Sequence, residues 1–250
     1  MPFAPDRVAG PAQVRDLGRV TYADAYRVQV ETVNQLVASR AESAPEVGTL
    51  LVVEHTPVIT VSNRAGAGEH VLVPEELLRD AGIELVGTDR GGDVTYHGPG
   101  QLVVYPILDL NRLKLRLHEY MRLLEASVIE ALRELGVTGR REHDATGVWV
   151  DPDQGGPAPH GEAAKIAAMG VRVRRWVSMH GLALNVTTNL DHFKMIIPCG
   201  LAGRPVTSLD EQLGDECPTY ERATEAVLGA LQRQLTETPG MKAQKRKRFF

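Results

Sequence analysis

The stretch that most constrains this chain is Arg90 to Leu110, RGGDVTYHGPGQLVVYPILDL. Its second half, Gln101 to Leu110, is a mostly apolar run containing Val103, Val104, Tyr105 and Ile107, the pattern of a buried strand. Its first half, Arg90 to Gly100, mixes four glycines with a proline, an arginine, an aspartate and a histidine, and reads as a polar loop. A glycine-rich loop feeding a core strand has two readings. It is a tight hairpin corner, or it is a platform whose backbone N–H groups approach a ligand where a Cβ would block them. A phosphate cradle is disfavoured, because the stretch fits neither GxxxxGK[ST] nor a GxGxxG set between strand and helix.

Around this stretch the periodicities alternate between strand and helix. Val14–Val20 reads as an edge strand. Thr21 offers a hydroxyl N-cap to a helix through Arg40 with Tyr22, Tyr26, Val33 and Val37 at helical spacing. Strands are expected at 49–54 and, after the break His55-Thr56-Pro57, at 58–61, then at 83–86 after a short helix at 74–81 that Gly82 ends. Leu117, Met121, Leu124, Val128, Leu132 and Leu135 mark the apolar face of a long helix closed by Gly136. Strands follow at 147–150, 165–173 and 177–186, with Arg174-Arg175 near the last bend. A short helix is expected at 189–197, and a final one at 219–235. Residues 151–162 form a proline- and glycine-rich loop. The pattern predicts one α+β domain over residues 14–236, a mixed sheet flanked by helices, with mobile termini at 1–13 and 237–250, the latter a basic tail.

A composition of 43% apolar and 24% charged residues suits a globular chain, and a net charge of −4 gives no basis for nucleic-acid binding. No apolar run reaches the length of a signal-peptide core or a membrane helix, and only Cys199 and Cys217 are present. A reducing, cytoplasmic setting is expected.

Cys199 lies between Pro198 and Gly200, a turn that can expose a thiol; its bland alternative is a small buried hydrophobe. Cys217, in GDECPTY, has acidic neighbours that disfavour a thiolate. Lys165 opens an otherwise apolar strand. It is a snorkelling strand-end lysine, or it sits beside Cys199, where an ammonium favours the thiolate and the lysine can act as a base. His97 and His180 each precede a glycine at a strand end. Either can support a Cys–His pair or bond backbone carbonyls structurally. No His, Cys or carboxylate cluster has zinc-ligand spacing.

Four blocks together, RGGDVTYHGPGQLVVYPILDL, GVWV at 147–150, KIAAMGVRVRRWVSMHGLALNV at 165–186 and IIPCGLAGRPVTSL at 196–209, resemble the lipoyl(octanoyl) transferases in order and spacing. His55-Thr56-Pro57 and Ser62-Asn63-Arg64 match that family's upstream segments only loosely. The resemblance implies a fold like the catalytic domain of lipoate and biotin protein ligases. It implies octanoyl transfer from octanoyl-acyl carrier protein to a lysine of a lipoyl domain, as in 2-oxoacid dehydrogenases or the glycine-cleavage H protein, with no cofactor of its own. By motif position Cys199 is the acyl-thioester nucleophile and Lys165 the lysine that lowers its pKa. Arg90, Gly91, Gly92, Asp93, Val94, Thr95, Tyr96 and His97, the turn Ala168-Met169-Gly170 and the segment Gly181-Leu182-Ala183 form the acyl-binding walls. Backbone N–H groups near Gly170 or in the 90–100 loop are the expected oxyanion donors. Three rivals remain: an ATP-dependent lipoate or biotin ligase, which needs no cysteine; a non-catalytic scaffold for lipoyl domains or carrier protein; and a Cys hydrolase using His97 or His180.

Overall fold

The computed structural model describes residues 10–42, 46–151, 162–198 and 204–247. The chain opens with β1 (Gln13–Val20) and α1 (Tyr22–Ser39), whose N-cap is Thr21, its hydroxyl accepting from the Asp24 N–H at 3.1 Å. Next come β2 (Gly48–His55), β3 (Val58–Ser62), α2 (Glu75–Asp80), β4 (Glu84–Thr88), β5 (Val94–His97) and β6 (Gln101–Leu108). The helical middle comprises α3 (Leu110–Leu113) and α4 (Leu117–Glu134). It is followed by β7 (Gly139–Arg140), β8 (Val148–Val150), β9 (Ala164–Arg174) and β10 (Val177–Asn185). A 3-10 turn at Leu190–Met195 leads to α5 (Leu209–Leu213), α6 (Tyr220–Thr236) and α7 (Pro239–Lys247).

Seven strands form one mixed sheet in the order β1-β2-β6-β10-β9-β8-β7, with β1 and β2 parallel and the other neighbours antiparallel. A second sheet, β4-β3-β5, pairs β3 parallel to β4 and antiparallel to β5. The His55-Thr56-Pro57 break is therefore more than a pause in one strand: it is where the chain leaves the large sheet for the small one. Proline cannot continue a ladder as a donor, which suits that exit.

The continuous apolar run of β6 is explained by cover on both faces. Leu102, Val104 and Leu108 join Leu50 and Val52 of β2, Ile166 of β9 and Leu184 of β10 beneath α4 and α6. Val103, Tyr105 and Ile107 turn to the other face, with Leu51 and Val53, against Ala25, Val33 and Leu36 of α1. A third cluster, Ile59, Leu78, Ile83, Val94, Tyr96, Phe193 and Ile196, packs the small sheet.

The structure corrects several expectations. Val94–His97 is a strand, fully buried, where the glycine content of 90–100 reads as loop. Leu117 is 53% exposed, and α4 buries Tyr120, Leu123 and Ala131 instead. Arg175 and Trp176, with φ of 52° and 64°, make the β9–β10 turn, the positive pair that a two-residue hairpin requires. The basic tail is helical through Lys247, with Met241 packed on the main core. Among the described residues no helix is long and apolar enough to cross a membrane.

Candidate active site

A pocket of about 460 Å³, counting its open mouth, lies where β5, β6, β9 and β10 meet the start of α1. Ten of the expected wall residues line it: Arg90, Gly92, Thr95, His97, Ala168, Met169, Gly170, Gly181, Leu182 and Ala183. Tyr22, Val103, Tyr105 and His180 complete the lining. Strand alternation decides the rest of the motif. Thr95 and His97 turn into the pocket, so Val94 and Tyr96 turn the other way, into the core of the small sheet. Asp93 is likewise off the lining: its carboxylate takes a 2.8 Å bond from His70 Nδ1 and faces Arg64 at 3.8 Å. Gly91 is also outside the lining, and its N–H is committed to Val171 O at 3.0 Å, which removes it as an oxyanion donor.

Two close approaches fix the walls. A Cβ on Gly170 would lie 2.6 Å from Gly91 O, so the absence of side chains lets the 90–92 loop rest on β9. A Cβ on Gly181 would strike Val104 O at 2.3 Å and Pro106 Cδ at 2.5 Å. Gly181 thus serves strand packing against β6 more than room for a ligand. Arg90 is clasped to β3, donating to Thr60 O at 2.8 Å and to Thr60 Oγ1 from Nη2 at 2.8 Å and Nε at 3.2 Å.

Two buried histidines, His97 and His180, line the pocket, and a third, His55, stands behind it against Tyr105 and the His97 ring. His55 Nε2 is 2.7 Å from the Tyr105 hydroxyl and its Nδ1 is 3.3 Å from Val20 O. Val20 O can only accept, so Nδ1 carries the proton and the Tyr105 O–H donates to Nε2. Burial holds His55 neutral, its pKa pushed down to about 4. His97 is pushed down to about 3 by burial and by the neighbouring His55, its Nδ1 bonded to Gln101 Oε1 at 2.6 Å. His180 has a φ of 56°, and its backbone N–H donates to Gln29 Oε1 while Nε2 meets Asp89 at 2.8 Å. Asp89 also accepts from Tyr26 and Arg172. Among the described residues neither His97 nor His180 bonds a backbone carbonyl, the structural role expected of them; His55 does. Nothing in the EHTP segment beyond a histidine at a strand end marks that role.

Lys165 lies at the start of β9, 6% exposed, not the snorkelling lysine of the bland reading. Its Nζ stands 4.7 Å from the centroid of the Trp149 ring, and the Arg204 guanidinium carbon is 4.3 Å from that same centroid. The segment leading away from Cys199 is stitched to the same place. Lys165 N donates to Pro205 O at 2.9 Å, and Thr207 N donates to Lys165 O at 3.0 Å. On the other side of the cysteine, Ile197 N donates to His70 O at 2.8 Å. Cys199 itself lies outside the described residues. Cys217 is half-buried, its thiol pKa raised by burial and by Asp210.

Residues 22–232 match the family model for the lipoyl protein ligase A/B catalytic domain. The chain is 47% identical over 206 residues to an octanoyltransferase of Geobacter metallireducens, covering 82% of this chain and 85% of that one. It is 43% identical over 199 residues to an octanoyltransferase of Parabacteroides distasonis, covering 80% and 87%. In fold it resembles a bipartite lipoate protein ligase of Thermoplasma acidophilum (TM-score 0.66, 16% identity, 96% of this chain and 92% of that one). A lipoate-protein ligase A bound with ATP gives a TM-score of 0.64 at 15% identity, covering 96% and 94%. With the family model spanning α1, α4, most of α6 and every strand from β2 to β10, this chain belongs to the lipoyl protein ligase A/B catalytic-domain family.

Proposed function

We infer that this chain is an octanoyltransferase of protein lipoylation that works through a thioester on Cys199, with Lys165 holding the sulfur as thiolate and later taking a proton from the incoming amine. Acyl transfer follows from the family and from octanoyltransferase relatives at 43% and 47% identity. The observation that carries the residue assignment is the setting of Lys165. It is buried at the start of the strand that also supplies Ala168, Met169 and Gly170 to the pocket, and it is hydrogen-bonded to the segment that follows Cys199.

The donor is octanoyl-acyl carrier protein. The Cys199 thiolate attacks the octanoyl carbonyl, a new C–S bond forms, the bond to the carrier's phosphopantetheine sulfur breaks, and that sulfur leaves as a thiol with a proton from the Lys165 ammonium, which leaves Lys165 neutral. The acceptor is a lysine of a lipoyl domain, such as that of a 2-oxoacid dehydrogenase or the glycine-cleavage H protein. Its amine attacks the octanoyl-Cys199 thioester, a C–N bond forms, the bond to Cys199 breaks, and the surplus amine proton passes to Lys165. A thioester is already activated, so the cycle requires neither ATP nor a metal. Six buried methylenes contribute nearly 5 kcal/mol at about 0.8 kcal/mol each, which suits the apolar pocket walls. A protein with two cysteines and this chemistry belongs in the reducing cytoplasm.

Intact mass after mixing with octanoyl-carrier protein tests the route. The wild type is expected to gain one octanoyl group and Cys199→Ala none. An adduct retained by Cys199→Ala, or turnover of free octanoate only with ATP, overturns it.

A further inference from the structure

Three buried side chains and one backbone carbonyl that the acyl-transfer chemistry leaves unused form one line from the pocket to the strand bearing Lys165. His97 Nδ1 meets Gln101 Oε1 at 2.6 Å; Gln101 Nε2 meets Asn185 Oδ1 at 2.9 Å and Tyr96 O at 3.2 Å; Asn185 Nδ2 meets Thr207 O at 2.9 Å. His97, Gln101, Asn185 and Thr207 are all 6% exposed or less. The direction of every bond in this line is forced. A backbone carbonyl only accepts, so the Asn185 atom facing Thr207 O is its amide nitrogen, and its oxygen faces Gln101. The Gln101 atom that faces both that oxygen and Tyr96 O is likewise its nitrogen. Its oxygen is therefore left for His97, whose Nδ1 must carry the proton. The neutral ring has one proton to place, so Nε2 is a bare acceptor, and it takes no partner among the described residues. His97 lines the pocket, and Nε2 is the nitrogen left to face it.

We propose that Gln101 and Asn185 are positioning residues that lock His97 in its Nδ1–H tautomer and so present Nε2 to the pocket as a fixed acceptor for an N–H group of the substrate. An octanoyl tail has no donor. Two N–H groups come near the reacting carbonyl: the cysteamine amide of the carrier's arm and the amine of the acceptor lysine. The anchor of the line is Thr207 O, in the residue whose N–H bonds Lys165 O, so seating of the segment after Cys199 on β9 and the tautomer of His97 are coupled. The identity of the N–H group rests on the acyl-transfer reading; the tautomer does not.

The test is long-range proton–nitrogen NMR on protein labelled with nitrogen-15 in histidine. Wild-type His97 is expected to show a protonated Nδ1 and an unprotonated Nε2; a protonated Nε2 overturns the proposal whatever the enzyme's activity. Gln101→Glu keeps an acceptor for Nδ1–H and is expected to keep the tautomer. Gln101→Leu, and Asn185→Leu, which does not touch the ring, are expected to mix the two forms. They should slow one half-reaction by roughly five- to tenfold, the loss of one hydrogen bond. Slowed loading of Cys199 identifies the carrier's amide, and slowed transfer from preformed octanoyl-enzyme identifies the acceptor amine. Wild-type tautomer and both half-rates retained in a folded Gln101→Leu protein overturn the positioning role. A wild-type enzyme that never takes an octanoyl adduct overturns the acyl-transfer reading, while the wild-type tautomer is still read directly.

Discussion

Replacing Gly170 with alanine tests whether contact between the 90–92 loop and β9 shapes the pocket proposed to hold the acyl chain. The new methyl would stand 2.6 Å from Gly91 O, against 3.4 Å for an ordinary contact, so the loop must retreat by about 0.8 Å, the difference between the two. That retreat lengthens the 3.0 Å bond from Gly91 N to Val171 O, which sits in the same contact. One weakened hydrogen bond and mild overpacking together cost about 1–2 kcal/mol. Because Arg90 and Gly92 line the pocket, the shift also misplaces a wall, and octanoyl loading of the enzyme should slow by roughly tenfold, which corresponds to about 1.4 kcal/mol. Urea unfolding measures the first effect, and the rate of adduct formation by intact mass measures the second. Gly87→Ala, where a Cβ meets no atom within 4 Å, serves as the control and should change stability by less than about 0.5 kcal/mol. A Gly170→Ala protein matching that control in both stability and loading would refute the reasoning.

Further expectations follow from the same geometry. Gly181→Ala pushes a methyl into rigid backbone at Val104 and should cost more than Gly170→Ala, about 3 kcal/mol, visible as a lower urea midpoint. Hexanoyl donor has two fewer methylenes to bury and should load about 15-fold more slowly than octanoyl under limiting donor, as about 1.6 kcal/mol is lost. His55 and His97 stay neutral in the fold, with pKa values near 4 and 3, but take protons near 6.5 when unfolded. The unfolded state then binds more protons below pH 6.5, so their contribution is complete above that pH and is lost as pH falls towards 4. Between pH 6.5 and 5 the two should remove about 3 kcal/mol of stability, and a flat urea midpoint over that range contradicts their buried, neutral state.

Much of this arrangement is legible in the chain. The apolar run of β6 and the helical spacing of α1 and α4 carry the main sheet and its cover, because burial on a periodic face leaves a periodic mark. The quartet Val94 to His97 is less legible. Its strand is short, flanked by glycines, and belongs to a second sheet whose partners are distant in sequence, so local composition points to a loop. Alternation then splits the motif, sending Thr95 and His97 to the pocket while Val94 and Tyr96 go to a core. That division is visible only once the strand is known. Tyr22, Tyr105 and His55 come together from a helix start, the middle of one strand and the end of another, and no spacing in the sequence joins them. The line from His97 to Thr207 likewise spans 110 positions, and only the pairing of Gln101 with Asn185 across β6 and β10 brings it together.

The central claim is that the acyl group rests on Cys199 and leaves it for a lysine without ATP. The most direct measurement is to isolate the octanoyl-enzyme, remove donor and nucleotide, add an apo lipoyl domain, and follow both masses in time. The octanoyl mass should leave the enzyme and appear on the lipoyl domain in equal amount, and should never be formed on Cys199→Ala. An enzyme that keeps its adduct in the presence of acceptor, or releases it as free octanoate, would contradict the account.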